Sequence, residues 1–254
     1  MEMPRPAERL FGLIGYPLSH SFSKRYFTNK FTTEGITDAA YELFPIPEIG
    51  QLPELLQAHP KLAGLNVTIP YKEAVMPYLS DIDAGAAEIG AVNTIRIGEE
   101  GQLTGYNTDL YGFENSLHAW LLNERKSTEG LSAYVLGTGG AAKAVAYALQ
   151  RLGIPYACVS RKPEGAQIGY DALDVAHTPL IINTTPLGMA PKTKHCPAID
   201  YEAVGNGHFL YDLVYNPEQT LFMRKGAEQG ARVKNGMEML IGQAEKAWQI
   251  WNTE

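Results

Sequence analysis

The sequence predicts an α/β protein of two domains, and three observations predict it. Short apolar runs alternate with segments of helical length, the pattern of parallel βαβ units. One polar stretch near the middle of the chain, Asn123-Glu-Arg-Lys-Ser-Thr-Glu-Gly130, reads as a linker. A glycine-rich turn, Gly137-Thr-Gly-Gly-Ala141, follows that linker, so a whole domain precedes it.

Taken in order, Arg9 to Tyr16 is an apolar run closed by Pro17 and reads as a buried strand. A serine-rich turn leads into a helix over 22–33, then a strand over 41–46 and a helix over about 49–58 that starts just after Pro47. Leu62 to Ile69 is the next strand, stopped by Pro70. The runs 93–97 and 102–106 flank Gly98-Glu-Glu-Gly101, which is hairpin chemistry and predicts an antiparallel piece in an otherwise parallel sheet. Asp109 is expected to cap a helix running toward Leu122, and the domain boundary is expected between 108 and 130. At the end of the chain, Met237, Leu240, Ile241, Ala244, Ala247, Trp248 and Trp251 recur at helical spacing within 235–254.

The 254 residues are 45% hydrophobic, enough for a large core, and no run approaches the ~18 apolar residues of a membrane span. Met1 to Arg9 carries two prolines and mixed charges in place of an apolar signal core, so a cytoplasmic protein is expected. A net charge of −7 argues against nucleic-acid or anionic-membrane partners, which need a basic face. Cys158 and Cys196 are far apart and match no metal spacing, so no metal is expected.

Ala133 to Leu136, the glycine turn and the alanine-rich stretch from Lys143 make strand, turn and helix in the order of a dinucleotide fingerprint. Gly137 suits the tight turn, Gly139 lets a pyrophosphate approach the backbone, and Ala142 fills the third small position. The N–H groups at the helix start are then placed to bind phosphate oxygens. The next strand, Tyr156 to Val159, ends in Ser160-Arg161-Lys162. It offers no carboxylate to a ribose 2′-hydroxyl, while Arg161 and Lys162 suit a 2′-phosphate, so NADP is expected over NAD. Solvated loop charges are the bland alternative for both residues.

In the first half, Ser19 and Ser21 put two hydroxyls just after a strand, where either can also cap the following helix. Asn66-Val-Thr-Ile-Pro-Tyr-Lys72 sets an amide, a hydroxyl and an ammonium around a strand end, and Gly90-Ala-Val-Asn-Thr94 and Gly105-Tyr-Asn-Thr-Asp109 add polar groups that a core would not favour. With Pro17-Leu-Ser-His-Ser21, Asn107-Thr-Asp-Leu-Tyr-Gly112, Asn183-Thr-Thr-Pro-Leu-Gly-Met189, Tyr211-Asp-Leu-Val-Tyr-Asn-Pro217 and Gly236-Met-Glu-Met-Leu-Ile-Gly-Gln243, these motifs closely resemble the shikimate dehydrogenase family, in the family's order and over nearly the whole chain.

The resemblance implies reversible, NADPH-dependent reduction of 3-dehydroshikimate to shikimate on the way to chorismate and the aromatic amino acids. It implies a catalytic pair, Lys72 and Asp109, and a substrate site of Ser19, Ser21, Thr68, Asn93, Asp109, Tyr215 and Gln243. It implies cofactor contacts at Gly137, Thr138, Gly139, Gly140, Ala141, Ser160, Arg161, Lys162, Leu213 and Gly236. The expected architecture is an α/β substrate domain with a mostly parallel sheet over 1–108, completed by a returning helix at 235–254, and a Rossmann-type NADP-binding domain over 109–234, with the active site in the cleft between them. A monomer or homodimer is expected. Lys24, Ser160-Arg-Lys162 and Glu238 depart from the family pattern, and nothing in the sequence accounts for Glu238. A broader quinate/shikimate dehydrogenase and a non-catalytic NADP-sensing regulator are the rival readings; the pair Ser19/Ser21 speaks against the first, and Lys72 with Asp109 against the second.

Overall fold

Residues 8–18, 21–124 and 126–253 are described by a computed structural model. The chain divides into two units, Met1–Thr108 with Ala244–Glu254, and Asp109–Gln243. The terminal helix is therefore shared, and only its part from Ala244 onward groups with the first unit, not the whole of 235–254.

The first unit contains β1 (Arg9–Gly15), α1 (Phe22–Thr33), β2 (Ala39–Pro45), α2 (Leu52–Ala58), β3 (Leu62–Val67), β4 (Asp81–Ile82), α3 (Ala84–Ile89), β5 (Thr94–Ile97) and β6 (Leu103–Tyr106). Its six-stranded sheet has the order β2-β1-β3-β5-β6-β4. β1 pairs parallel with β2 and β3, β5 pairs antiparallel with β3 and β6, and β4 pairs parallel with β6. The expected hairpin supplies the antiparallel piece. β1 is apolar from Leu10 onward because both of its faces are covered. Phe11 and Leu13 pack with Phe27 and Phe31 of α1 and Tyr41 on one face, while Ile14 packs with Leu52, Leu65 and Ile95 on the other.

α7 (Met237–Trp251) completes the first of these faces with Ala244, Ala247 and Trp251. The Trp251 ring stacks on Phe11 with centroids 4.8 Å apart, and its Nε1–H donates to the Ile95 carbonyl at 2.9 Å. β3 leaves room for the indole only because residue 64 is glycine: a Cβ there would lie 2.3 Å from Trp251 Nε1.

The second unit holds nearly all of α4 (Thr108–Asn123), then β7 (Ala133–Leu136), α5 (Gly140–Arg151), β8 (Tyr156–Val159), β9 (Leu180–Asn183), β10 (Phe209–Asp212), α6 (Leu221–Glu228) and β11 (Arg232–Lys234), and ends within α7. Asp109 is the second residue of α4, in its first turn, and is not the cap that the sequence suggests. All strand pairs in this five-stranded sheet are parallel, in the order β11-β10-β9-β7-β8. Helices cover both faces: Leu117, Leu121, Val145 and Leu149 from α4 and α5 pack on one, and Phe222 and Met223 from α6 on the other. The winding reverses beside β7, and the crevice outside the strand ends at such a reversal is where α/β sheets take ligands.

At that edge β9 ends in Asn183 and β10 in Asp212, both with no solvent exposure. Asp212 Oδ1 accepts from Asn183 Nδ2 at 2.9 Å and from the Val214 N–H at 3.0 Å, and Oδ2 accepts from the Thr220 hydroxyl at 2.6 Å. Thr220 in turn caps α6 by accepting from the Met223 N–H. Burial pushes the Asp212 carboxyl up to about 6, although the hydrogen bonds from Thr220, Val214 and Asn183 each pull it back.

Two expectations follow from this packing. Gly64→Ala should lower unfolding stability by about 2–3 kcal/mol in a denaturant titration, since the indole must leave its bond to Ile95; a stability equal to wild type would show that Trp251 repacks freely. Because folding raises the Asp212 pKa, its contribution is fullest below the unfolded value of ~3.9 and is lost as pH climbs through about 6. The unfolding free energy of Asp212→Asn relative to wild type should therefore rise by about 2–3 kcal/mol between roughly pH 4 and pH 7. A difference that is flat with pH would contradict the assignment.

Candidate active site

In the first unit the polar motifs gather where the winding also reverses, beside β1. The Tyr16 N–H donates to the Ile69 carbonyl, and the Thr68 N–H donates to the Ile14 carbonyl, so the loops that leave β1 and β3 run together. Gly15 makes this approach possible: a Cβ there would sit 2.4 Å from the Thr68 methyl. Thr68 and Lys72 are half-buried at the end of β3, and Lys72 also fixes the next segment by accepting the Val92 N–H on its carbonyl at 2.7 Å. Ser21 is the N-cap of α1, its Oγ accepting from the Lys24 N–H at 3.4 Å. That bond uses an acceptor site and leaves the hydroxyl proton for another partner. Ser19 lies outside the described residues.

Asn93 is 3% exposed, and its position is set by a buried network. Its Oδ1 accepts from the Thr108 N–H at 2.7 Å and from the Thr94 and Thr108 hydroxyls at 3.2 Å each. Behind it, the Tyr41 hydroxyl donates to Asn66 Oδ1 at 2.7 Å, and Asn66 Nδ2 donates to Thr94 Oγ1 at 3.2 Å. With its oxygen committed, Asn93 keeps only its amide donors for a further partner. Asn66, singled out by its motif, is thus a buttress for Asn93. Asn107 has a similar task, donating from Nδ2 to the Ala91 carbonyl at 2.9 Å.

In the second unit, Asp109 is 8% exposed on the first turn of α4, where the helix dipole favours a carboxylate. Gln243 is equally buried on α7, with Nε2 donating to the Leu240 carbonyl at 3.0 Å. The two helices meet closely at Gly112, where a Cβ would lie 2.4 Å from the Met239 carbonyl oxygen and 3.0 Å from Gln243 N. Glu238, unexplained by the sequence, pairs with Lys234 at 2.6 Å and accepts from Ser116, whose Oγ accepts from the buried Tyr211 hydroxyl at 2.8 Å. It stands in the first turn of α7, again where the dipole favours it. Lys24, the other departure, is paired with Glu42 at the surface.

The glycine turn fits a dinucleotide. Gly137 has φ +119°, and a Cβ there would lie 2.5 Å from Thr184 Oγ1, so only glycine passes at the point where β7 and β9 end side by side. Thr184 is itself held by donating to the Leu136 carbonyl at 2.7 Å. Gly139 is the N-cap of α5, supplies no capping side chain, and a Cβ on it would meet nothing within 4 Å. Thr138 and Gly139 are exposed, and Gly140 and Ala141 open the helix half-buried. First-turn N–H groups with no capping side chain and open space before them make a seat for a diphosphate.

After β8, Ser160 Oγ accepts the Lys162 N–H at 3.1 Å and donates to the Lys162 carbonyl at 2.9 Å. The serine hydroxyl shapes the loop, and Arg161 and Lys162 carry its charge into solvent. Leu213 and Gly236 come together: a Cβ on Gly236 would lie 2.1 Å from the Leu213 carbonyl oxygen, and the Gly236 N–H donates to the Val214 carbonyl at 3.3 Å. Tyr215 is half-buried two residues further on. Sequence reasoning missed Asn183 and Asp212 as participants; their signal was a polar residue closing each of two fully apolar runs, Leu-Ile-Ile-Asn183 and Phe-Leu-Tyr-Asp212. Among the described residues no group of His, Cys, Asp and Glu could hold a metal ion, and no helix is long and apolar enough to cross a membrane.

Residues 13–95 match the family described as shikimate dehydrogenase substrate binding domain. The chain is 41% identical to the NADP(+) shikimate dehydrogenase of Clostridium beijerinckii, over 95% of this chain and 91% of that one. Its fold is similar to a chorismate mutase/shikimate 5-dehydrogenase fusion protein from Clostridium acetobutylicum, with a TM-score of 0.84, 37% identity, and coverage of 97% of this chain and 92% of that one. It is also similar to shikimate 5-dehydrogenase from Thermus thermophilus, solved in complex with NADP(H) and shikimate, with a TM-score of 0.82, 30% identity, and coverage of 96% and 93%. By these relations the chain belongs to the shikimate dehydrogenase family.

Proposed function

We propose that this chain catalyses the reversible, NADPH-dependent reduction of 3-dehydroshikimate to shikimate, a step toward chorismate and the aromatic amino acids. What supports the reading is that a chain 41% identical to an NADP(+) shikimate dehydrogenase keeps Lys72 and Asp109, the pair that the sequence resemblance marks as catalytic. The first unit would hold the substrate and the second the cofactor. NADPH supplies a hydride to the substrate ketone. Everything else falls to the side chains.

A carbonyl that accepts hydride becomes an alkoxide, and a proton must reach that oxygen from a donor within about 3 Å. Lys72 fills this role, since an ammonium both donates the proton and stabilises the negative charge before transfer. Asp109 accepts from a substrate hydroxyl. Ser19 and Ser21 donate to the substrate carboxylate; for Ser21 the N-cap geometry leaves its proton available. Thr68, Asn93 and Gln243 bond the ring hydroxyls and neighbouring groups, Asn93 as a donor, and Tyr215 closes over the ring. Gly137, Thr138, Gly139, Gly140 and Ala141 would hold the diphosphate, Leu213 and Gly236 would flank the nicotinamide, and Arg161 and Lys162 would meet the 2′-phosphate on a loop set by Ser160. The free thiols of Cys158 and Cys196 agree with a cytoplasmic protein, acting as a monomer or homodimer.

Purified protein offered shikimate or quinate with NADP or NAD should form reduced cofactor fastest with shikimate and NADP. No reduction with shikimate under either cofactor would reject the proposal, and a faster reaction with quinate would move the chain to the broader relatives. Lys72→Ala should lower kcat by about 10²-fold or more with little change in the shikimate KM. A loss confined to KM would remove Lys72 from the chemistry. Arg161→Ala should raise the KM for NADP about tenfold or more and leave that for NAD unchanged; equal effects on both would remove Arg161 from the 2′-phosphate.

A further inference from the structure

Asp212 has no part in the chemistry above, yet it is the one carboxylate without solvent exposure among the described residues. A charge held so deeply is costly unless its bonds do something that an apolar residue cannot. What they do is tie three pieces of backbone together. Through Asn183 Nδ2 the carboxylate holds the end of β9, through the Val214 N–H it holds the loop that leaves β10, and through Thr220 it holds the start of α6.

Asn183 extends the tie. Its Oδ1 accepts from the Thr185 N–H at 3.1 Å and from the Thr185 hydroxyl at 2.6 Å, and its carbonyl accepts the Leu213 N–H at 2.9 Å. Thr185 Oγ1 then accepts the Leu187 N–H at 3.3 Å. The loop after β10 passes the constraint on, because the Val214 carbonyl accepts the Gly236 N–H and Gly236 lies so close to Leu213 that a Cβ on it would be 2.1 Å from the Leu213 carbonyl oxygen. Leu213 and Gly236 thus stand on backbone whose course is set from Asp212.

We propose that Asp212 is a positioning residue for the hydride-transfer end of the cofactor site: its three hydrogen bonds fix the Leu213–Tyr215 backbone, and through it Gly236, in the placement that presents the nicotinamide. This rests on the function proposed above. The work is done by acceptor geometry, not by net charge. An asparagine can keep its oxygen on Asn183 and Val214 and turn its amide to Thr220 Oγ1, whereas alanine removes the acceptor that Asn183, Val214 and Thr220 share.

The test compares wild type, Asp212→Ala and Asp212→Asn in the full chain by two readouts. Calorimetry measures binding of NADP and of 2′,5′-ADP, which carries the adenosine and 2′-phosphate end but no nicotinamide. Turnover measures kcat and KM with shikimate. Asp212→Ala should bind 2′,5′-ADP within about twofold of wild type while its NADP affinity falls toward that of 2′,5′-ADP and kcat falls about tenfold or more. Asp212→Asn should recover NADP affinity and kcat to within about threefold.

Equal losses of NADP and 2′,5′-ADP affinity would mean general loosening of the unit and overturn the proposal, as would an alanine variant with wild-type NADP binding and kcat. If the alanine variant does not fold, Thr220→Val, which removes the bond to Oδ2, should give the same split at smaller size, and equal losses there overturn the proposal as well. Should wild type bind NADP but fail to oxidise shikimate, the functional reading fails on its own, and the two affinities still decide the role of Asp212.

Discussion

Both units depend on one steric constraint. In each sheet the winding reverses beside the first strand, so that two parallel strands end side by side and their outgoing loops must pass at close quarters. In the first sheet this happens at Gly15 and Thr68, where an added Cβ would lie 2.4 Å from the threonine methyl. In the second it happens at Gly137 and Thr184, with the corresponding distance 2.5 Å and φ at +119°. Glycine is needed at each place because any side chain would separate the strand ends. The space gained lies outside the carboxyl ends of the strands, where side chains of one loop and helix N–H groups can converge on a ligand. The same packing solution recurs in both units.

Close approach alone does not orient polar groups, and each unit adds a buried network for that. In the first, Thr94 and Thr108 take up the side-chain oxygen of Asn93, with Asn66 and Tyr41 in line behind Thr94, so that only its amide donors remain. In the second, Asp212 and Asn183 set the loops after β9 and β10. The networks differ in their electrostatics. The first is neutral, while the second contains a carboxylate whose burial raises its pKa and costs stability at neutral pH. Such a cost is tolerable where a single arrangement of loops matters more than added stability.

The elements legible in the sequence were those with strong period or punctuation. β1, α1, the β5–β6 hairpin, the turn at Gly137 and α7 announce themselves through apolar spacing, proline stops and glycine pairs. β4 and α3 did not, because a two-residue strand and a six-residue helix bury too few side chains to leave a pattern. Helix limits shifted for a local reason: α4 begins at Thr108, whose backbone N–H and hydroxyl are held by Asn93, so Asp109 is drawn into the first turn instead of capping it. Of the site, residue types and motif order were readable, whereas the commitment of Ser21 to α1, of Ser160 to its own loop and of Asn93 to Thr108 depends on partners distant in sequence or on hydroxyl direction. Glu238 shows the same limit, since its pairing with Lys234 and Ser116 exists only once α4, β11 and α7 are assembled.

The central claim is that the ends of β1 and β3 take the substrate ring and the start of α5 takes the cofactor diphosphate. A crystal structure of the unreactive complex with NADPH and shikimate tests it most directly. The diphosphate should lie on the N–H groups of Gly139 to Ala141, the 2′-phosphate against Arg161 and Lys162, and the shikimate hydroxyl to be oxidised within hydrogen-bonding distance of Lys72 Nζ, with the ring carboxylate on Ser21. A dinucleotide bound away from the glycine turn, or shikimate ordered with Lys72 out of reach, would contradict the account.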